Sequence, residues 1–422
     1  MFNKIFLIAF LFSSQLHAQL KQISGFNLTE NGGTFVYDAS TDANAPTEAQ
    51  KRVIQARQLG ANHIILNVRA KMVGGKSNEV IPVTPPAEKQ KEAQRMVRLI
   101  KYIKSLGMSV GIRPIFFVVG PNGEFPFSEL QHDGTLKLWW HGNIQPSDPN
   151  RWFESFRNYL DQYMLIAKLA QADEFTVGAE LYSMTVGIED QWPENPYGFP
   201  GRWLELLRYV RAKLPQAQLH YDINYTDDTV NNGALLKAGG EIERWRYRLV
   251  DLAEPEDPAQ AQIWKDLVAF WTELDAVGID MYRSLAGPSD LIPLETNSLV
   301  KLLRLRSDAY ASQLDNILTE ISIYLSHDKK IVLKEVGFRS VENGFIDPFT
   351  YAGPGNYNEA HQYSAVRALF ESFIDPQWSW FGGVNLWDLP IDPSLHGQGD
   401  LGFSPVGKTM TEELIRKYYQ QN

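Results

Sequence analysis

Apolar and polar positions along this chain follow two alternating periods. Short runs rich in β-branched and aromatic residues, the signal of strands, fall at Gln22–Leu28, His63–Arg69, Ser109–Val118, Glu174–Leu181, Gln218–Asn224, Ala276–Tyr282, Ile331–Phe338 and Phe381–Trp387. Between them the apolar spacing changes to three and four. Ala93, Met96, Val97, Ile100, Ile103 and Leu106 form one such helical face, which Gly107 ends. Another begins at Pro149 after the capping residue Asp148 and runs through Trp152, Phe156, Tyr159, Leu160 and Tyr163 to Leu169. Further helices are predicted at Arg202–Leu214, Gln260–Leu274, Ser298–Leu325, Asn356–Phe373 and Pro405–Tyr419. Strand–helix alternation implies parallel strands, and eight repeats imply closure. The expected fold is therefore α/β, a single-domain (β/α)8 TIM barrel. An open doubly wound sheet would be marked by Gly-x-Gly-x-x-Gly after the first strand, and that motif is missing here. The excess length falls in long βα loops at Val119–Ser147, Tyr182–Gly201 and Tyr225–Ala259, which the alternation places on the catalytic face.

The first residues belong to a different pattern. Lys4 precedes an apolar run from Ile5 to Phe12, and Leu16-His17-Ala18 offers a cleavage point before Gln19. This reads as a secretory signal over residues 1–18, too short to span a bilayer, leaving 19–422 as the catalytic domain. A secreted or periplasmic location is expected, with no membrane association after cleavage. The chain has no Cys, so its stability must come from its core. Its 422 residues carry a formal net charge of −10 without a compensating basic stripe, which argues against nucleic acid as a partner. Aromatic residues reach 12%, and flat apolar rings suit sugar faces as well as cores. The eight His include no pair at helical ligand spacing, so neither a metal nor a cofactor is expected. A monomer is expected.

Barrel enzymes carry their chemistry at the C-terminal ends of strands. Those positions hold Arg69, Glu180, Asn224, Tyr282, Glu335 and Trp387. Glu180 on strand four and Glu335 on strand seven would face each other across the mouth, the pairing that glycoside cleavage requires. Simple alternation puts Gly178 on the face of Glu180 with Ala179 pointing away, and puts Lys334 on the face opposite Glu335. A surface or salt-bridged role for both glutamates is the competing reading, and spacing alone leaves the two balanced.

The motifs Trp140-His141-Gly142-Asn143-Ile144, Trp152-Phe153, Tyr163 and Phe175-Thr176-Val177-Gly178-Ala179-Glu180-Leu181 resemble glycoside hydrolase family 113. So do Leu274-Asp275-Ala276-Val277-Gly278-Ile279-Asp280-Met281-Tyr282 and Val332-Leu333-Lys334-Glu335-Val336-Gly337-Phe338-Arg339-Ser340. The resemblance runs in order from about Gly111 to Trp387. It implies an endo-β-1,4-mannanase-like retaining enzyme with Glu180 as acid/base and Glu335 as nucleophile. The substrate it implies is a polysaccharide or oligosaccharide, mannan or glucomannan first. Ala179, Lys334 and Phe338 depart from the family's usual Thr, Thr and Tyr, which bears on substrate more than on reaction type.

Supporting roles follow. Tyr282 could donate to Glu335, and Arg69 could do the same through a charge-assisted bond. Trp387 could floor the subsite of the cleaved sugar. Trp140, His141 and Asn143 lie in the long third loop, where hydroxyl recognition is plausible, and Asn224 and Asp280 could bind hydroxyls or steady the glutamates. Of Trp192 and Trp203, one is a candidate sugar platform, though helix packing explains Trp203 as well. The alternatives are another β-glycan, such as peptidoglycan or β-glucan, or a barrel that binds glycan without cleaving it.

Overall fold

A computed structural model describes residues 22–30, 35–189, 191–226 and 240–421. The signal-peptide expectation and part of the loop after Asn224 lie outside the described residues. The barrel strands are β1 (Ile23–Thr29), β2 (His63–Val73), β3 (Ser109–Val119), β4 (Glu174–Ala179), β5 (Gln218–Thr226), β6 (Ala276–Tyr282), β7 (Ile331–Val336) and β8 (Phe381–Pro390). Each is followed by a helix, in order α1 (Glu48–Gln58), α2 (Lys89–Ser105), α3 (Pro149–Ala170), α4 (Pro200–Lys213), α5 (Pro258–Glu273), α6 (Thr296–Leu325), α7 (Glu359–Phe373) and α8 (Thr409–Tyr419). Neighbouring strands pair in parallel throughout, and pairing of β1 with both β8 and β2 closes the cylinder. The fold is a (β/α)8 barrel, as the alternation of elements predicts.

Two kinds of element escape that alternation. The amphipathic signal of α1 is weak because its buried apolar face is only Ala49, Val53 and Ala56. Its start is nevertheless written in the sequence, as a capping box in which Thr47 and Gln50 satisfy each other's backbone amides. The loop after β3 also contains an unpredicted antiparallel hairpin, Phe127–Leu130 with Leu136–Trp139. Helix α7 begins at Glu359, not Asn356, because the Asn358 side chain accepts from His361 N at 3.1 Å and caps it there.

Aromatic packing fills the layer between barrel and helices. Trp203 of α4 meets Trp152, Phe156, Tyr221 and Phe270 at ring distances of 5.5 to 6.4 Å, which settles its role as packing. Trp192 is buried against Phe199.

Simple alternation along β4 and β7 does not survive. A register shift between Thr176 and Gly178 against β5 sets Gly178 opposite Tyr221 and Ala179 opposite Asp222. A Cβ on Gly178 would strike Trp203 at 2.8 Å, so Gly178 faces the helices and Ala179 faces the barrel axis. A second shift, between Leu333 and Glu335 against β6, lets two consecutive side chains turn inward. Lys334, expected to face away, is fully buried inside the barrel with its ammonium on Glu174 Oε1 and 3.4 Å from His220 Nδ1.

The barrel interior is thus polar near its N-terminal end, where Lys334, Glu174, His220 and His63 share one buried cluster. Burial raises the Glu174 carboxyl, but His220, Lys334 and His63 outweigh it and hold the group down to about 2. Burial, opposed by Glu174, lowers His63 to about 4. Both groups are depressed in the folded state, so the unfolded chain binds more protons below pH 6.5 and stability falls with falling pH. For His63 the window runs from 6.5 to about 4 and spans up to ~3 kcal/mol. Thermal melts of a His63→Gln variant across that window should show a flatter dependence on pH than wild type. Parallel curves would remove His63 from the account.

Candidate active site

The mouth of the barrel is organised around Arg113 of β3, a residue the strand-end reading passed over. Its guanidinium is fully buried and donates through Nε to Asp222 Oδ2 at 2.6 Å and through Nη2 to Asp280 Oδ2 at 2.6 Å. Nη1 reaches Glu335 Oε1 and lies 3.3 Å from Asn67 Oδ1. An arginine facing three carboxylates stays charged: although burial opposes its charge, the acids raise its pKa well above the ordinary value. Burial, against the pull of Arg113, holds the Asp280 carboxyl well above the usual aspartate range.

Glu335 takes its second oxygen to Tyr282, whose hydroxyl donates to Oε2 at 2.8 Å. Burial and the neighbouring Glu335 charge raise the phenol well above its ordinary value, so it remains a donor. Glu180 arrives by a different device. It follows the last residue of β4 with φ +53, a left-handed conformation that non-glycine residues seldom adopt. Its amide donates to Asp222 O at 2.8 Å, and the turn swings its carboxylate into the mouth. There Oε2 lies 2.7 Å from His141 Nε2, and Oε1 accepts from Asn224 Nδ2 at 2.5 Å.

Their surroundings push the two glutamates in opposite directions. At Glu180 burial raises the carboxyl, but the hydrogen bond and charge of His141, with Asn224 and Arg113, outweigh it and hold the group below the usual glutamate range. At Glu335 burial leads and the charge of Glu180 adds to it. Together they outweigh Arg113 and Tyr282 and hold the group above that range.

Other candidate residues divide between the mouth and its scaffold. Tyr282, His141 and Asn224 each touch a glutamate. Asp280 holds Arg113 from inside the barrel. Trp387, within β8 and not at its end as expected, is half-buried beside Gly337, two residues after Glu335, whose added Cβ would meet Trp387 O at 2.1 Å. Trp140 packs edge-on to His141 and Tyr182 at 5.0 and 5.4 Å. The Asn143 side chain is committed to its own loop, accepting from Trp140 N and donating to Leu138 O. Arg69 does not bond to Glu335. Its guanidinium lies 5.9 Å from the Phe117 ring, and Arg113, one strand over and deeper in the barrel, supplies the cation instead. Asp222 and Asn67 also escaped the strand-end reading. Their signal was polar residues in the middle of apolar strands, where burial without a partner is costly.

Comparisons place this arrangement in context. The fold is similar to a complex of a GH113 β-1,4-mannanase at 19% identity, covering 95% of this chain and 100% of that one, with a TM-score of 0.58. It is also similar to the GH113 β-mannanase AaManA from Alicyclobacillus acidocaldarius in complex with ManMIm. There the identity is 18%, the coverage 96% and 98%, and the TM-score 0.60. Among curated proteins none matches the sequence. The sequence profile of Glycoside Hydrolase Family 113 matches residues 33–195 and 257–408, most of the chain. With a (β/α)8 barrel, a sequence match of that extent and two glutamates at its mouth, this chain belongs to Glycoside Hydrolase Family 113 and is a glycoside hydrolase acting on carbohydrate.

Proposed function

We propose that this chain is an exported retaining β-glycosidase of β-1,4-mannan or glucomannan, in which Glu335 is the nucleophile and Glu180 the acid/base. The observation that carries the assignment is the asymmetry of the pair. Glu335 is gripped by a permanent cation and a phenol, which orient an attacking carboxylate. Glu180 is held by an imidazole and an amide, which tolerate either protonation state. Glu335 attacks the anomeric carbon as Glu180 protonates the departing oxygen. Glu180, now a base, then draws a proton from water that releases the glycosyl-enzyme. The β-1,4-mannanases among the structural relatives support mannan as the substrate.

Before sugar binds, Glu335 is held above the usual glutamate range and Glu180 below it, the reverse of what attack and protonation need. Against burial, the hydrogen bond with His141 does most to keep Glu180 low, so a His141→Leu variant should raise the Glu180 carboxyl and move the basic limb of the kcat/KM profile to higher pH. A basic limb that stays where the wild type has it would refute that role.

Reducing-sugar release from mannan, glucomannan, cellulose, xylan, chitin and peptidoglycan tests substrate and activity together. Cleavage of mannan that disappears in Glu335→Ala is expected. Cleavage of peptidoglycan or a β-glucan alone would move the substrate. Oligosaccharide binding without turnover would make the barrel a glycan-binding protein.

A further inference from the structure

Two aromatic side chains meet across the barrel mouth from loops that start on opposite strands. Phe125 lies in the loop after β3, Tyr351 in the loop after β7, and their ring centroids are 6.1 Å apart. Their path is set by neighbours on one side of the barrel. Phe125 packs edge-on to Phe117 at 5.3 Å, and Phe117 lies beside Arg69 of β2. On the other side the Arg339 guanidinium donates to Gly353 O at 2.6 Å and to Leu401 O at 3.1 Å, tying the loop after β7 to the loop after β8. The contact therefore spans the arc of β8, β1 and β2. The arc of β4, β5 and β6, which holds Glu180, Asn224 and Tyr282, lies on the other side. Both rings remain substantially exposed, at 47% for Phe125 and 60% for Tyr351, so core packing does not account for them.

The chemistry of the pair gives this arc a direction. The leaving oxygen must lie at Glu180, so the departing sugars extend over β4 to β6. The ring attacked by Glu335 then points towards Trp387 and β1. We propose that the Phe125–Tyr351 bridge closes the glycone end of the cleft, so that this enzyme removes short units from the non-reducing end of its β-glycan instead of cutting inside the chain. The inference rests on the retaining assignment above and determines chain-length preference, which that assignment leaves open.

The test uses β-1,4-mannohexaose reduced at its reducing end, so that fragments from the non-reducing end lack the alditol. First-turnover products of the wild type without the alditol should be mono- and disaccharide. Both bridge residues sit on exposed loop surface, and a Phe125→Ala/Tyr351→Ala variant with an unchanged circular dichroism spectrum should open the cleft. Its ratio of trisaccharide and longer to shorter fragments should rise by about fivefold or more, the scale of one lost aromatic pair. A wild type that yields mainly trisaccharide and longer at first turnover would overturn the proposal. So would a variant whose product ratio matches the wild type. Absence of cleavage at every mannan chain length is a different failure, one that overturns the mannanase reading and the bridge proposal with it.

Discussion

Glu335→Ala should lose hydrolysis by on the order of 10⁵-fold, about 7 kcal/mol of barrier, while keeping affinity for oligosaccharide. Glu180→Ala should lose less, about 10²- to 10⁴-fold, because an activated leaving group departs without an acid. Added azide separates the two roles. With Glu180→Ala and an aryl glycoside, azide should intercept the glycosyl-enzyme from the face that water normally uses and give the β-glycosyl azide. With Glu335→Ala it should occupy the vacated nucleophile position and give the α-glycosyl azide. The stereochemistry follows from which face each glutamate guards, and the structure brings them in from different strands, Glu180 just after β4 and Glu335 within β7. Products of the opposite configuration would exchange the two roles. Rescue in neither variant, with folding intact, would remove the double-displacement mechanism.

The second large effect belongs to Arg113. Arg113→Met would leave Asp222, Asp280 and Glu335 facing one another in a buried site, with no cation among the bonds they now make to it. Removing one partner of a buried ionic network costs about 3–5 kcal/mol. The variant should therefore unfold at markedly lower urea, and whatever folds should be nearly inactive, since Glu335 would lose its charge partner. Arg113→Lys should recover part of the stability and little activity, because an ammonium cannot span three carboxylates with the geometry of a planar fork. Equal stability of wild type and Arg113→Met would show that the three acids are neutral or solvated without it.

These two variants probe different origins. The glutamates were legible as strand-end residues because a barrel always presents its strand ends to the same face. Arg113 was not, since it lies mid-strand, where its one signal is a charge inside an apolar run, the same signal that Asp222 and Asn67 carry. Its role comes from the company that β5, β6 and β7 bring from more than a hundred residues away.

The same division runs through the whole molecule. Local sequence was enough for the eight strands, for seven of the eight main helices and for their order, because β-branched runs, apolar spacing and caps act over a few residues. Closure followed from that order. The face of each side chain did not, wherever a bulge intervened. Gly178, Ala179 and Lys334 all turned opposite to simple alternation, for a one-residue register shift depends on how a neighbouring strand pairs. The left-handed turn at Glu180 and the burial of Lys334 on Glu174 are likewise products of tertiary packing. The sequence by itself determined which strand ends would carry chemistry. Only the closed barrel decided which polar groups would meet there, since it alone brings strands distant in the chain within hydrogen-bond reach.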